Sequence, residues 1–340
     1  MKIRTIAVYA FMLTIIPMYP MLRESGVSGD GAENIASSAA EQLPVREEIS
    51  TSLPEAQTEE EPKCFLVLDA ESKKVMTLSE RDYVIGAIAA EMPALFEAEA
   101  LKAQAVAAYT YAVRERAQSQ RTSPEELCGA HFSNDSTKYQ AFYTLGQMQE
   151  RWGEKFDEYY EKIAAAADAV SGQTLLYGGE PIVAAFHSMS SGKTESSENV
   201  WGGELPYLRA VESEWDKDAP SYRCVYRFTA KDITETVTGC AFSGDEKSWL
   251  EVLKVSASGT VLEVRTGEKK ISGTELRAML GLRSAAFTCE YSDGVFVITT
   301  CGYGHGVGLS QYGANYMAKS GKTYKEILTH YYPQTELGVI

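Results

Sequence analysis

No charged residue occurs between Thr5 and Leu22, and residues 6–16 are apolar almost without interruption. Lys2 and Arg4 precede this run of 11 to 17 apolar positions, which is the pattern of a secretory signal peptide or a short signal-anchor. No clear small-x-small cleavage site follows immediately, since Arg23-Glu24-Ser25-Gly26 is a poor candidate. An uncleaved transmembrane anchor over 1–22 is therefore expected, its basic end in the cytoplasm and the body of the chain exported. Residues 23–63 then lose nearly all long apolar and aromatic side chains in favour of Glu, Ser, Ala and Pro. Such a segment buries too little surface to offset its ordering entropy, so it predicts a disordered spacer that gives reach from a membrane.

From Cys64 the texture changes to short alternating and helical patterns. Residues 64–68 and 75–78 predict two strands around a turn at 69–74. Ser79-Glu80-Arg81-Asp82 supplies an N-cap with an acid three residues on, and the helix it starts must end near Pro93. A longer, alanine-rich helix is expected over 95–118, and a further one over 154–169 with Phe156, Tyr159, Tyr160 and Ile163 on one stripe. Beyond Gly172 the pattern gives short strands at 174–177, 182–187, 224–229, 251–257, 261–266 and 295–300. Helices starting at Ser272 or Gly273 and spanning 323–331 interrupt them. A hairpin is expected around Ser292-Asp293-Gly294. The sum is an α+β fold in one domain over 64–340, without regular βαβ alternation.

Charge sharpens this division. Residues 23–63 hold three basic residues (Arg23, Arg46, Lys63) against ten acidic ones, so about -7 of the formal net charge of -15 sits in the spacer. The acidic balance argues against nucleic acid as a partner. Six cysteines at 64, 128, 224, 240, 289 and 301 show no CxxC spacing, and free thiols are expected.

Three places carry candidate chemistry. Val84, Ile88 and Glu91 are spaced i, i+4 and i+7, so the Glu91 carboxylate shares a face with apolar side chains in the last turn of its helix. Desolvation and the negative helix end both raise its pKa, which suits a general acid; the plainer alternative is a glutamate whose tip reaches water. The second is FHSMSSGKTE at 186–195, a strand running into a hydroxyl-rich turn. It is either such a turn or part of a site, and no G-x-S-x-G elbow marks a serine hydrolase. The third is CGYGHGVGLSQYG at 301–313, where Gly302, Gly304, Gly306 and Gly308 surround His305. The glycines form either a floor that displays His305, Ser310, Gln311 and Tyr312, or an irregular glycine-rich strand. Cys128 and His131 have ligand-like spacing without a second pair at zinc-site distance. Twenty tyrosines and four tryptophans are available to line a sugar groove.

Taken together, YVIGAIAAEMPALFEAEALKAQAVAAYTY (83–111), FHSMSSGKTESSENVWGGELPYLRAVES (186–213) and GYGHGVGLSQYGANYMAKSGKTYKEILTHYYP (302–333) resemble the stage II sporulation protein D (SpoIID/LytB) family, in family order and across essentially all of 64–340. The resemblance implies a SpoIID-type catalytic domain at 64–340 acting as a peptidoglycan lytic transglycosylase during forespore engulfment. Its substrate would be glycan strands stripped of stem peptides, its partners sporulation protein P (an amidase/endopeptidase) and sporulation protein M. The catalytic glutamate falls on Glu91. Lys102 and Gln104 match the family's EALKAQA pattern, His187, Ser188, Ser190, Gly192, Thr194 and Glu195 its HSxSxGxTE loop, and His305, Ser310, Gln311 and Tyr312 its GHGVGxSQYG loop; these are expected to bind sugar and position the acid. The family also includes amidase enhancers, so a non-catalytic glycan-binding role is the alternative. Two departures stand out. Tyr109 occupies a position where relatives carry Arg, so one positive group expected near the cleft is absent or replaced. Ser133, Lys138 and Tyr139 stand where some relatives place zinc ligands, leaving Cys128 and His131 too few, so no metal and no cofactor is expected.

Overall fold

The computed structural model describes residues 63–122 and 124–340; the anchor expected over 1–22 and, but for Lys63, the spacer expected over 23–63 lie outside the described residues. Among the described residues no helix is long and apolar enough to cross a membrane.

Alternation of buried and exposed positions in β1 (Cys64–Leu68) lets it pair antiparallel with β2 (Val75–Ser79). Ser79 ends that strand and caps α1 (Glu80–Glu91), its hydroxyl accepting from the Asp82 N–H at 3.0 Å. The expected stop before Pro93 holds, with Met92 extended. Pro93 to Phe96 makes a turn, so α2 starts at Ala98 and runs to Arg121, three residues later at each end than the alanine pattern suggested. Short β3 (Phe132–Ser133) adds to β1 in parallel.

A helix absent from the pattern analysis follows, α3 (Leu145–Trp152), started by a full capping box of Thr144 and Gln147. Next come α4 (Phe156–Asp168), β4 (Gln173–Tyr177) and β5 (Glu180–Pro181). Of the strand expected at 182–187 only β6 (Phe186–His187) pairs, and α5 (Ser197–Trp201) follows. The core gathers around α2, whose residues from Ala100 to Val113 are buried except for Lys102. Its alanines let α1, α4 and β4 approach closely, and Thr110 ties it to β4 by accepting the Leu175 N–H at 2.9 Å.

A second core lies between Arg223 and Cys301. Here β7 (Arg223–Thr229), α6 (Ala230–Thr236), β8 (Leu250–Val255), β9 (Val261–Thr266), β10 (Lys269–Ile271), α7 (Gly273–Leu280), β11 (Phe287–Ser292) and β12 (Val295–Cys301) form two three-stranded antiparallel sheets, β11-β12-β7 and β10-β9-β8. Phe296, Ile298, Val264, Leu276 and Ile233 fill the space between them. The β11–β12 turn is the expected two-residue hairpin, with Asp293 and Gly294 both at positive φ. Cys289 faces Ile298 in its register, which leaves it away from Cys301.

The chain then returns to the first core. β13 (Leu309–Ser310) pairs parallel with β6, and the pattern analysis missed the helix that follows it, α8 (Gln311–Lys319). The last elements are α9 (Tyr324–Tyr331), as expected, and β14 (Glu336–Val339), which pairs with β4.

Candidate active site

Glu91 closes a helix that is buried from Tyr83 to Ala89, so its backbone has no freedom to carry the carboxyl outward. Sequence spacing suggested an apolar stripe; the structure buries every face of that stretch, because the segment 140–143 packs across it. Tyr143 N–H donates to Gly86 O at 3.1 Å, and Tyr83 Oη donates to Gln140 Oε1 at 2.8 Å. At Gly86 any Cβ would meet the Phe142 ring at 2.2 Å, so only glycine admits this crossing. The same segment reaches the acid: Ala141 N–H donates to Glu91 Oε1 at 3.0 Å. Burial pushes the Glu91 carboxyl up to about 7, and the Ala141 bond opposes that only in part. The residue keeps some contact with solvent, so the proton it holds near neutrality has a path out. The segment 140–143 carried no motif; the capping box three residues on was the one readable sign of an ordered element there.

Among the described residues neither Lys102 nor Gln104 hydrogen-bonds this carboxyl. Lys102 Nζ pairs with Glu99 Oε1 at 2.6 Å, and Glu99 Oε2 accepts the Tyr324 N–H at 2.7 Å, which fixes Lys102 toward the start of α9. Gln104 is fully buried, with neither its amide nitrogen nor its oxygen partnered. Tyr109 is placed away from where its departure from the family pattern seemed to matter. Its hydroxyl donates to Glu80 Oε2 at 2.8 Å, at the opposite end of α1 from Glu91, about 16 Å along the helix axis. Arg116 pairs with the other Glu80 oxygen at 2.8 Å. The expectation that Tyr109 removes a positive group from the cleft is therefore corrected.

The two motifs after residue 180 form one unit. β6 and β13 lie side by side, and the glycines let the backbones of 301–308 and 185–195 mesh. Gly308 sits at φ 74 and a Cβ there would lie 2.0 Å from Ala185 O; Gly304 sits at φ 113 with His187 Cβ at 2.7 Å. The glycine run thus serves main-chain contact with the 186–195 segment. Ser190 and Ser310 are buried and both bond Asp216: Ser190 donates through N–H at 2.7 Å and through Oγ, and Ser310 donates Oγ–H at 2.7 Å. Burial raises the Asp216 carboxyl while these donors lower it. Ser310 Oγ also accepts the Gly313 N–H and so caps α8. Glu195 is buried too, accepting from Ser196 N–H, Asn199 Nδ2 and Ser256 Oγ. Thr194 bonds Val211 N–H, and Gly192 is buried at φ 105 against Lys217. Asp216, Ser256 and Ser258 are frame residues that lay outside any motif.

His187 and His305 face each other with ring centroids 5.7 Å apart. His187 Nδ1 lies 3.1 Å from Val307 O and must donate, whereas His305 Nδ1 accepts the Val307 N–H at 3.1 Å. The two rings are thereby held in opposite tautomers. Burial pushes His187 down to about 4 and His305 well below its ordinary value, with the Arg277 charge adding to both, so both rings are neutral. Gln311 is buried with its amide nitrogen unpartnered. Ser188, Trp201, Arg283, Tyr303, His305 and Tyr312 keep partial exposure and form the accessible surface of this unit. Tyr312 joins this unit to the connection between α1 and α2, where its ring meets Phe96 edge-on at 5.0 Å. Glu97 N–H donates to Asn315 Oδ1 at 2.8 Å and secures the same junction.

His131 has a different place. Its Nδ1 accepts the Leu66 N–H at 3.1 Å beside the β1–β3 pairing, and Cys128 is exposed in a left-handed turn. Among the described residues no group of three His, Cys, Asp or Glu is arranged to hold a metal ion.

A carboxyl that stays protonated near neutral pH can give a proton to a leaving oxygen and take one back. Comparison with known proteins agrees with the motifs. Residues 69–177 match the SpoIID family model, described as a stage II sporulation protein. The chain is 36% identical to stage II sporulation protein D of Bacillus subtilis over 279 residues, which covers 81% of this chain and 79% of that protein. It is likewise 36% identical to stage II sporulation protein D of Bacillus amyloliquefaciens over 278 residues, covering 82% and 79%. A more distant likeness, 28% over 309 residues, is to an amidase enhancer of Bacillus subtilis, of which 40% is covered.

Proposed function

The chain belongs to the stage II sporulation protein D (SpoIID) family, and from that premise we propose that it is a peptidoglycan lytic transglycosylase with Glu91 as its acid and base. The observation that carries this reading is the buried Glu91 carboxyl, whose pKa of about 7 keeps much of it protonated at neutral pH. The proposed substrate is glycan freed of stem peptides. Glu91 gives its proton to the oxygen between N-acetylmuramic acid and N-acetylglucosamine as the C1–O bond breaks. The muramic acid C6 hydroxyl then closes onto C1, and the Glu91 carboxylate takes the proton that this hydroxyl loses. The product is a 1,6-anhydro end, no water is consumed, and one carboxyl returns to its starting state.

In the same proposal Ser188, Tyr303, His305 and Tyr312 hold sugar, while His187, Ser190, Gly192, Thr194, Glu195, Ser310 and Gln311 keep that wall in place. The setting would be forespore engulfment, outside the cytoplasm and at a membrane through the N-terminal segment, in company with sporulation proteins P and M.

Incubation with peptide-free glycan should release 1,6-anhydromuramic products, and Glu91→Gln should lower that rate by about 100-fold or more. An undiminished rate in this variant would sink the assignment. A second reading, a non-catalytic enhancer of a cell-wall amidase, draws on the likeness to the amidase enhancer. It requires stimulation of an amidase by wild type and Glu91→Gln alike, with no anhydro product from either.

A further inference from the structure

Two arginines beside the candidate site, one buried and one half-exposed, lack an acidic partner. Among the described residues no acidic side chain lies within ion-pair distance of Arg277 or Arg283, although the whole chain carries a formal net charge of -15. Arg277 is 4% exposed; its Nε donates to Leu282 O at 3.1 Å, and its Nη2 is buried without a partner. The Arg283 guanidinium carbon lies over the Tyr303 ring, 4.3 Å from the centroid, with its Nε buried and unpartnered. Its main chain is fixed on both sides, its N–H donating to Tyr226 Oη at 3.1 Å and its carbonyl accepting the Gly304 N–H at 3.0 Å. Arg277 is deprived of water and left without an anion, which is costly, while Arg283 is half-exposed and equally without an acidic partner, so its charge is open to the anion of a ligand. The contact with Tyr303 restrains the side chain, and a guanidinium fork matches a planar carboxylate through two parallel bonds.

The positive field reaches the site. The Arg277 charge helps to depress both His187 and His305, and Arg283 lowers Tyr303 and Tyr312 against the burial that raises them. Tyr312 is the residue that meets Phe96, so Arg283 stands on the wall that packs against the connection between α1 and α2. Muramic acid offers the matching group. Its lactyl side chain ends in a free carboxylate when no peptide is attached, and in an uncharged amide when one is.

The geometry points to Arg283 as the residue that reads this lactyl carboxylate, with Arg277 behind it strengthening the positive potential. The inference rests on the transglycosylase reading for its substrate. It makes Arg283 the specificity-determining residue for peptide-free glycan: an amide in place of the carboxylate leaves the guanidinium unpaired and loses a charge-assisted bond.

Binding by the full-length Glu91→Gln chain tests it, using two soluble peptide-free glycan fragments, one with free lactyl acids and one with the same acids methyl-esterified. The free acid is expected to bind about ten- to a hundredfold more tightly. That preference should shrink as salt is raised, fall toward unity when Arg283→Gln is added, and survive in part with Arg283→Lys. Equal binding of the two glycans, a preference insensitive to salt, or a preference that persists in a folded Arg283→Gln variant overturns the inference. Cleavage by wild type is scored separately. A carboxylate preference that depends on Arg283 but comes with no anhydro product leaves the inference standing and removes the transglycosylase reading.

Discussion

Glu91 holds its proton near neutrality because the 140–143 segment covers it while supplying just one N–H, from Ala141, to stabilise the charge. Its folded value of about 7 lies above the ordinary 4.5, so the folded chain binds an extra proton between those limits and loses stability as pH rises through them. Below the lower limit the group is protonated folded and unfolded alike, and no penalty remains. Glu91→Gln keeps the oxygen that accepts from Ala141 and cannot ionise. It is expected to be more stable than wild type at about pH 8, by up to about 3 kcal/mol, with the gap closing near pH 4.5. Equal unfolding curves at alkaline pH would contradict a buried carboxyl. The proton also sets the rate: turnover should decline as pH rises through about 7, and a profile flat through that range would remove Glu91 as the acid.

At the scale of elements, the two late motifs act through β6, β13 and the start of α8. Asp216 joins them, taking Ser190 on one oxygen and Ser310 on the other. Asp216→Ala removes the carboxylate to which both buried hydroxyls and the Ser190 N–H donate, and is expected to destabilise the chain by about 3 kcal/mol in denaturant titration. A change within about 0.5 kcal/mol would show that the junction does not depend on it. Gly308→Ala brings a Cβ within 2.0 Å of Ala185 O at a φ of 74, a conformation that alanine also resists. A loss of at least about 2 kcal/mol is expected. The spacing alone left a choice between a floor and an irregular strand; the structure makes the run a mating surface for main chain, with His305 displayed as a consequence.

Over the whole molecule, acid and base effects oppose one another. His187 is held neutral, so its contribution is complete above the ordinary 6.5 and is lost as pH falls toward about 4; His305, also pushed down by burial, acts in the same sense, while Glu91 acts in the other sense from 4.5 to about 7. Wild type should therefore show a shallower dependence of melting temperature on pH between about 4.5 and 6.5 than Glu91→Gln, whose stability should rise steadily with pH there. Parallel curves would mean that the histidines titrate normally. Much of this architecture was legible in the chain. The Ser79 cap, the stop at Pro93, the β11–β12 hairpin and the caps of α7 and α9 depend on neighbours within a few residues, so local chemistry determined them. The α+β class and the choice of Glu91 followed from periodicity and motif in the same way. Contacts across long sequence separations were not legible. Segment 140–143 over α1, Tyr109 turned to Glu80, Asp216 between two motifs about 120 residues apart and the unpaired Arg277 and Arg283 have no local signature, because each depends on which distant backbone packs against it. The sequence by itself determined which residues are able to do chemistry; the tertiary structure decided which of them are desolvated, which are bound up in the frame and which face the open groove.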